Sequence, residues 1–541
     1  MKVKKWELLE LCIVTTQYIK NPFWDIKVKA NFTQEALDIK QEVLGFYDGL
    51  NENKEHVWKI RWTPCCEGNW FCSISSEPMI DSLSSLIKIE VEKNDDGKKG
   101  FLRAYPKVPW GFKFDNGDPY FLFGDTIYNL FGAKYNGVDV EQILRHRKAQ
   151  GINHIRARAQ VSFYHPGVRN QWQTRDCWPW AGSAQWPDFT RLNIEYFNAI
   201  DQVLFLMENL DMGLEMIFEA WMLEFPFNNR HVFLPEHEEF WFEYIIARYS
   251  AFPAIRIWTP ANEYEFYPGE VKYHIEADRW LKKLARYIRK MDQFKHPIGA
   301  HNWVQNIPLH ERLKDCEEID VYLVQSNWGK EMDEHTEDLS LCKYIEEQLR
   351  FHSPYRDKAV ICSEFGYERV DGCYTAGGHE RMDHNHTRRG QWRTGFSGYT
   401  IIHGFNNTWG AHLRIDIDAK GASYLLPYYQ FMTEEIQFSE MKPSPELFFK
   451  QSGDYNEGTQ PLCLADVSKN VVSVYFPTRG ECTLRLENID MYRYYWVDPR
   501  TGRKSSAKTS EATNFSTVHI EGIGASDENI GNDWVLVLKR Y

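Results

Sequence analysis

An alternation of apolar, strand-like runs with longer amphipathic stretches between residues 112 and 443 constrains the fold most strongly. Eight strands are predicted, at Tyr120–Gly124, Ile152–Arg158, Leu214–Phe218, Ile255–Trp258, Ile298–His301, Val321–Gln325, Ala359–Glu364 and Thr400–Phe405. Apolar residues recur every three to four positions in four stretches that predict helices, Leu192–Leu210, Glu238–Tyr249, Glu276–Met291 and Leu339–Phe351. Eight strand–helix repeats favour a parallel (β/α)8 barrel. An open doubly wound sheet is the alternative, but the glycine-rich nucleotide-binding motifs that would favour it are absent from the sequence.

On both sides of this region the hydrophobic period changes to two. Trp58 and Trp62 face one way in the N-terminal part, and Val472 and Phe476 do so in the C-terminal part. Short, half-buried strands separated by turn residues are typical of a β-sandwich. The sequence therefore predicts an α/β chain with three parts: a β-sandwich at 1–108, a (β/α)8 TIM barrel at 109–443 and a second β-sandwich at 444–541.

The composition narrows the classes of partner. Hydrophobic residues make up 43% of the chain and charged residues 26%, which excludes extensive disorder. The net charge of −13 disfavours nucleic acid and anionic membranes, since both require a basic surface. Aromatic residues reach 15%, and their flat apolar faces are surfaces on which sugar rings stack.

Location and metal content are predicted from what the sequence lacks. Residues 1–11 have no apolar signal-peptide core, and no run of about 18 apolar residues occurs, so we expect a cytoplasmic protein with no membrane partner. Eleven cysteines without a C-x-x-C pair predict reduced thiols and no structural zinc. The segment His379–His386 clusters histidines and carboxylates, but one loop is weak support for a metal, and we predict neither metal nor cofactor.

Two glutamates stand at the ends of predicted strands four and seven. Glu263 follows Asn262 at the first, and Glu364 closes the second. Reactive groups of a barrel lie at the C-terminal ends of its strands, so the two carboxyls are expected to face one mouth. Glycoside hydrolysis needs such a pair, one to protonate the leaving oxygen and one to act at the anomeric carbon. Asn262 could donate to a sugar 2-hydroxyl.

Several stretches carry a resemblance to a known family: Phe123–Thr126, the Asn153-x-x-Arg156 pair, Asn193–Asp201, Gln325–Ser326 and Gly395–Trp409. With the two strand-end glutamates, they make the chain resemble clan A glycoside hydrolases. It is most similar to apiosidase-like (β/α)8 hydrolases that carry an N-terminal and a C-terminal β-sandwich. The resemblance implies that Glu263 is the acid/base and Glu364 the nucleophile of a retaining reaction. The chain departs from the family pattern at Tyr128, where relatives have Trp, and at His301-Asn302, where His-Pro is common.

Six residues are predicted to bind substrate: Asn262, Arg156, Asp125, His301, Gln325 and Trp409. Arg156 could keep Glu364 ionised, since a neighbouring cation lowers the pKa of a carboxyl group, or it could form a structural ion pair inside the barrel. Asp125 could accept from sugar hydroxyls, or it could cap the next helix. His301 could donate to a sugar hydroxyl or to Glu364, or it could be a core histidine with its hydrogen bonds satisfied. Gln325 is a predicted hydroxyl partner, and Trp409 a floor under the sugar, with plain packing as the alternative.

The predicted function is a retaining glycoside hydrolase acting on oligosaccharides or small glycosides, with an exo mode on plant or microbial polysaccharide fragments. The exo mode rests on the lack of an export signal, since an enzyme inside the cell meets only short sugars, and on long loops after strands two and seven. The tryptophans of the first loop, Trp172, Trp178, Trp180 and Trp186, could enclose a terminal sugar. The alternative is that the loops pack sideways onto the N-terminal sandwich and leave a groove. A non-catalytic carbohydrate-binding protein remains open. So does a uronic-acid lyase using Arg388, Arg389 and the histidine loop. The oligomeric state is undetermined, and a homo-oligomer is left open.

Overall fold

The computed structural model describes residues 1–81, 83, 86–106, 110–161, 170–303, 308–325, 358–373, 382–410, 412–452, 460–477, 481–486, 492–509, 512–514, 517–521 and 533–540. Its centre is a sheet of eight parallel strands: β1 (Phe123–Thr126), β2 (His154–Arg158), β3 (Gly213–Trp221), β4 (Ile255–Asn262), β5 (Gly299–His301), β6 (Val321–Gln325), β7 (Ala359–Glu368) and β8 (Thr400–Phe405). All eight predicted strands are present.

The eight strands follow chain order around a nearly closed barrel. The sheet runs β4-β3-β2-β1-β8-β7-β6-β5, with neighbouring strands parallel. The two ends of this sheet approach each other at a parallel bridge between Trp258 and Ile298. The predicted (β/α)8 fold is thereby confirmed.

Helices connect the strands and cover the barrel. The α-helices of the described chain are α1 (Leu130–Tyr135), α2 (Val140–Ala149), α3 (Ile194–Asn209), α4 (Pro235–Tyr249), α5 (Ile275–Met291), α6 (Leu309–Leu313), α7 (His384–Phe396) and α8 (Leu425–Gln430). The helices α3, α4 and α5 match predicted ones, whereas the predicted helix at 339–351 lies outside the described residues. None of the helices in the described ranges is long and apolar enough to cross a membrane.

The interior of the barrel changes from apolar to polar along its axis. Near the N-terminal ends of the strands, Ile257, Leu323 and Ile361 pack with Phe112 in an apolar cluster. Further along the same strands the buried side chains are polar, as at Gln325. The apolar end fixes the strands, and the polar end provides the side chains for chemistry.

The N-terminal part contains two antiparallel sheets around a shared apolar core, apart from one parallel pair at an edge. The five-stranded sheet has the order Lys2–Lys4, Ile87–Glu92, Gly68–Glu77, Lys27–Gln34 and Ile39–Leu44. The three-stranded sheet has the order Leu9–Thr15, His56–Trp62 and Phe46–Leu50. Phe32 and Trp62 stack between them at 4.3 Å. A further strand, Leu102–Ala104, pairs with Phe112–Phe114 across the predicted boundary at residue 108.

The C-terminal part also consists of two antiparallel sheets. One has the order Met441–Pro443, Leu462–Asp466, Val471–Phe476, Trp534–Arg540, Tyr492–Val497 and Lys508–Thr509. The other has the order Phe448–Ser452, Glu481–Arg485, Thr517–Glu521 and Ala512–Asn514. The strand Met441–Pro443 starts before the predicted boundary at residue 444.

A buried ion cluster connects the N-terminal sheets to the barrel. Asp201, on α3, accepts two hydrogen bonds from Arg61 of the strand His56–Trp62, at 2.9 and 2.8 Å. It also accepts from Arg248, on α4, at 2.7 Å. Bidentate arginine–carboxylate pairs are geometrically specific, so this cluster sets the position of the N-terminal sheets against α3 and α4.

Candidate active site

The carboxylate of Glu364, on β7, is almost fully buried. Its Oε2 atom accepts a hydrogen bond from the Tyr128 hydroxyl at 2.9 Å and another from Arg156 Nη1 at 3.1 Å. His301 Nε2 lies 3.3 Å from the same oxygen. Burial alone would favour the neutral acid, but the contact with His301 and the charge of Arg156 outweigh it and hold the pKa of Glu364 well below its usual range. Glu364 is therefore ionised at neutral pH.

Arg156, on β2, contacts the ends of both β4 and β7. Besides Glu364 it donates to Glu215 Oε1 at 3.2 Å and to the amide oxygen of Asn262. Because Asn262 Oδ1 accepts from Arg156, its Nδ2 group is the end that can donate to a substrate hydroxyl. The structure thus brings together three of the predicted residues, Arg156, Asn262 and Glu364.

Glu263 comes directly after β4 and is also buried. Its backbone has φ +51°, a left-handed conformation that non-glycine residues adopt mainly where the surroundings impose it. Its carboxyl accepts one described hydrogen bond, from Gln325 Nε2 at 3.0 Å. Burial, and then the nearby charge of Glu364, raise the pKa of Glu263 well above its usual range. Glu263 therefore keeps its proton at neutral pH.

His301, at the end of β5, lies between the two glutamates. The backbone N–H of Glu263 donates to its Nδ1 atom at 3.0 Å. Burial lowers the pKa of His301 to about 4, so the ring is neutral. With Nδ1 accepting, the single ring proton must be on Nε2, the atom nearest Glu364. His301 thus lies against Glu364, one of the two partners predicted for it, and accepts from the backbone of Glu263.

Aromatic side chains surround Glu364 on the remaining side. Trp409 is 4.6 Å from Tyr367 and 5.7 Å from Tyr128, measured between ring centroids, and its indole N–H donates to Asn406. Trp409 therefore packs against two tyrosines next to Glu364, and its role as the floor under a sugar stays a prediction. Tyr367 was not predicted: its hydroxyl is 3.0 Å from that of Tyr128, and it also forms a hydrogen bond with Glu364.

Arg158 is a second residue that the sequence analysis missed. It lies two residues after Arg156 on β2, so its side chain points to the same face of the strand. Its guanidinium is 3.8 Å from the ring centroid of Tyr128, and its charge lowers the pKa of Glu263 against the larger effects that raise it. The signal that could have found it is the alternation of the strand itself.

Asp125 is not part of this cluster. Its side chain is fully buried, and it accepts from Arg147 Nε, on α2, at 2.7 Å and from Thr408 Oγ1 at 3.4 Å. It therefore lies between the barrel and α2. The predicted contact between Asp125 and the sugar is corrected to a structural ion pair.

The tryptophans after β2 do not enclose the site either. Trp178 and Trp180 are buried 5.0 Å apart, and Trp180 packs at 4.5 Å against Trp241 of α4. Trp186 is 82% exposed. Trp178 and Trp180 thus pack together, and Trp180 packs on the outer helix α4, so neither matches the predicted wall.

The described residues show no arrangement that could hold a metal. No group of three or more His, Cys, Asp or Glu side chains is close enough within the described ranges. Residues 374–381 of the histidine-rich loop lie outside them. Of the remainder, Asp383 accepts from the backbone of His386 as the N-cap of α7, so these two side chains begin a helix.

Comparison with known families and structures agrees with this geometry. Residues 112–424 match the apiosidase-like catalytic domain. Residues 2–77 match a domain of unknown function (DUF5060), and residues 450–539 match a model assigned to the collagen-binding domain of a collagenase. No curated protein matches the sequence.

Solved structures share the architecture. A Bacteroides vulgatus ATCC 8482 protein assigned as a glycoside hydrolase has a TM-score of 0.71 at 16% identity, over 100% of both chains. A glycoside hydrolase family 5 structure from the same organism has a TM-score of 0.59 at 16% identity, over 82% of this chain and 93% of that chain. These likenesses establish the fold, while the matched catalytic domain spans more than half of the sequence. The chain therefore belongs to the apiosidase-like family, and its barrel is the catalytic domain of that family.

Proposed function

We propose that the protein is a retaining glycoside hydrolase in which Glu364 is the nucleophile and Glu263 the acid/base. The observation that carries this proposal is the placement of two buried glutamates at the ends of β4 and β7, with His301 between them and with donors of different charge around each. These neighbours move the two pKa values in opposite directions. Divergent pKa values of this kind assign the acid and the base in carboxylate pairs. Double displacement needs one carboxyl of each kind.

The proposed reaction has two steps. In the first, Glu364 attacks the anomeric carbon while Glu263 gives its proton to the leaving oxygen, so the glycosidic bond breaks as a glycosyl–Glu364 ester forms. In the second, Glu263 takes a proton from water, the water oxygen bonds to the anomeric carbon, and Glu364 leaves as a carboxylate. Asn262 Nδ2 donates to the sugar 2-hydroxyl, a contact that strengthens as positive charge develops on the ring.

We also propose an oligosaccharide or small glycoside as substrate and release of a terminal sugar. Support comes from the depth of the two carboxyls, since Glu263 is 7% exposed and Glu364 is 5% exposed. A chain end reaches such a depth more readily than the middle of a polymer. The tryptophan loop gives this mode no support, because its described tryptophans pack away from the carboxyls.

The test combines a substrate screen with NMR. Aryl glycosides and plant oligosaccharides are screened by product chromatography, and the anomeric signals of one cleaved substrate are followed over time. We expect a single monosaccharide that first appears with the anomeric configuration of the substrate. Initial formation of the opposite anomer would contradict double displacement, and early release of intermediate-length oligomers would contradict the exo mode.

The two alternatives have less support. A lyase that uses Arg388 to neutralise a uronate is disfavoured, because Arg388 forms a buried bidentate pair with Asp533 at 2.8 and 3.1 Å. A binding protein without catalysis would not need two glutamates with opposite protonation. Product absorbance from a new conjugated double bond would favour the lyase, and binding without turnover would favour the second alternative.

A further inference from the structure

A groove separate from the barrel mouth runs between the N-terminal sheets and the outer face of α4. Its cavity volume is about 260 Å³. Phe23 and Trp24 line it on the N-terminal side, and Glu236, Phe240 and Glu243 line it on the side of α4. Ligand sites are commonly found at such domain interfaces.

The groove follows one face of α4. Its lining residues on the helix extend from Glu236 to Ala247, about 17 Å at the helical rise of 1.5 Å per residue. The helix follows β3, so it begins at the end of the barrel that carries Glu263 and Glu364. A second cavity of about 540 Å³ shares Lys27, Glu243 and other lining residues with the first and extends the groove along the seam. An extended ligand could therefore start near the barrel mouth and continue down the side.

One wall of the groove presents a fixed, partly exposed indole. Trp24 is 36% exposed. Its ring packs edge-on against Phe240 at 5.3 Å and against His237 at 6.0 Å. Holding an aromatic ring in place while leaving part of it in water prepares a stacking surface for a ring with an apolar face.

Three carboxylates line the groove, and two of them are paired with lysines, of which only Lys27 is itself a lining residue. Glu243 pairs with Lys27 at 3.1 Å, and Glu239 pairs with Lys283 at 3.1 Å. Glu236 adds an exposed carboxylate at the edge. Such groups accept from and donate to hydroxyls without needing an opposite net charge. A basic peptide would have to displace the two lysines, whereas a neutral polyhydroxylated chain would not.

We propose that this groove is a second, non-catalytic saccharide-binding site, which holds a neutral oligosaccharide chain stacked on Trp24. It goes beyond the proposed hydrolysis, because it lies outside the barrel mouth. It retains the polymer or oligomer from which chain ends enter the active site. Binding at the groove should therefore change the apparent KM for long substrates and leave the hydrolysis of small aryl glycosides unchanged.

The test measures retention by affinity electrophoresis, with the full chain carrying Glu364→Gln so that no turnover occurs. Gels contain xyloglucan, galactomannan, arabinoxylan or pectic galactan. We expect at least one polysaccharide to retard the parent, and Trp24→Ala to raise its dissociation constant at least fivefold. Trp24→Leu keeps apolar volume without a flat ring and should behave in the same way. The matched control is Trp186→Ala, at an exposed tryptophan that does not line the groove, and it should be retarded like the parent.

Several results would overturn the proposal: no retardation of the parent in any of the four gels, equal retardation of both Trp24 variants and the parent, or binding of oligolysine in their place. Thermal unfolding of each variant checks that a loss of retention is not misfolding, because Trp24 also packs against Phe240 and His237. Because retention is measured without turnover, its result does not depend on whether the hydrolase proposal is correct. An inactive enzyme that is still retarded through Trp24 would contradict the hydrolysis alone.

Discussion

The ends of β4 and β7 each carry a glutamate that is almost fully buried. Glu263, at β4, is protonated, whereas Glu364, at β7, is ionised. At β7, the Oε2 atom of Glu364 faces a tyrosine hydroxyl, an arginine and a histidine N–H. At β4, the carboxyl of Glu263 accepts one described hydrogen bond, from the amide of Gln325. Burial acts on both glutamates alike, so the number and charge of the donors decide which one ionises. The comparison shows that the side chains around each glutamate determine which one is suited to donate a proton and which one to act as nucleophile.

Removing either carboxyl removes one member of the pair and should have the largest effect on activity. Glu364→Gln and Glu263→Gln should each lower kcat/KM on a natural glycoside by at least about 10³-fold, equivalent to about 4 kcal/mol of barrier. Glutamine keeps the size of the buried side chain, so the fold should persist. The control is Glu270→Gln on the surface, which should keep full activity. A variant at either site that retains more than a tenth of the parental rate would show that its glutamate is misassigned.

Replacing the arginine beside Glu364 should have the next largest effect. Arg156→Lys keeps a charge but loses the planar fork that reaches Glu215, Asn262 and Glu364, so kcat should fall by about 10²-fold. The acid limb of the pH profile should move to higher pH, because Glu364 loses part of the stabilisation of its charged form.

The matched control for Arg156→Lys is Arg147→Lys, in the ion pair with Asp125 outside the barrel. It should lower the unfolding temperature and leave the pH profile of activity unchanged. If the two lysine variants shift the acid limb equally, Arg156 has no specific effect on the pKa of Glu364.

A smaller effect should follow loss of one neutral donor. Tyr128→Phe removes the 2.9 Å hydrogen bond to Glu364 and should lower kcat by about tenfold, or about 1.4 kcal/mol. The sign follows from the carboxylate: without this donor the pKa of Glu364 rises, so activity is lost at a higher pH on the acid side. A rate loss with an unmoved acid limb would instead indicate that Tyr128 only contacts the substrate.

Strand ends could be predicted from sequence, and they located Glu263, Glu364, Asn262 and Gln325, whereas Arg156 was proposed from the family resemblance. Asp125 shows that a family motif alone does not give the direction in which a side chain points. Thr126 is paired with Arg156 in the β1–β2 ladder and shares its side of the sheet, so the residue before it points outward.

Tyr367 could not be predicted from regular alternation. It is three residues after Glu364, and a regular strand would put the two on opposite faces. The ladder between β7 and β8 shifts register on either side of Phe365 and Gly366, and Tyr367 has φ +66°. These irregularities bring its ring back beside Glu364, and nothing in the local pattern of residue types signals them.

The division of roles is tested most directly by the pH profile of Glu263→Gln on a glycoside with a good leaving group, which needs no proton donor. The parent should give a bell-shaped profile of kcat/KM whose two limbs report the coupled pair of glutamates. Activity is lost below the acid limb as Glu364 takes up a proton, and above the basic limb as Glu263 loses its own. We expect Glu263→Gln to lose the basic limb and keep the acid limb. A basic limb that survives unchanged would contradict the account, because another group would then be the proton donor.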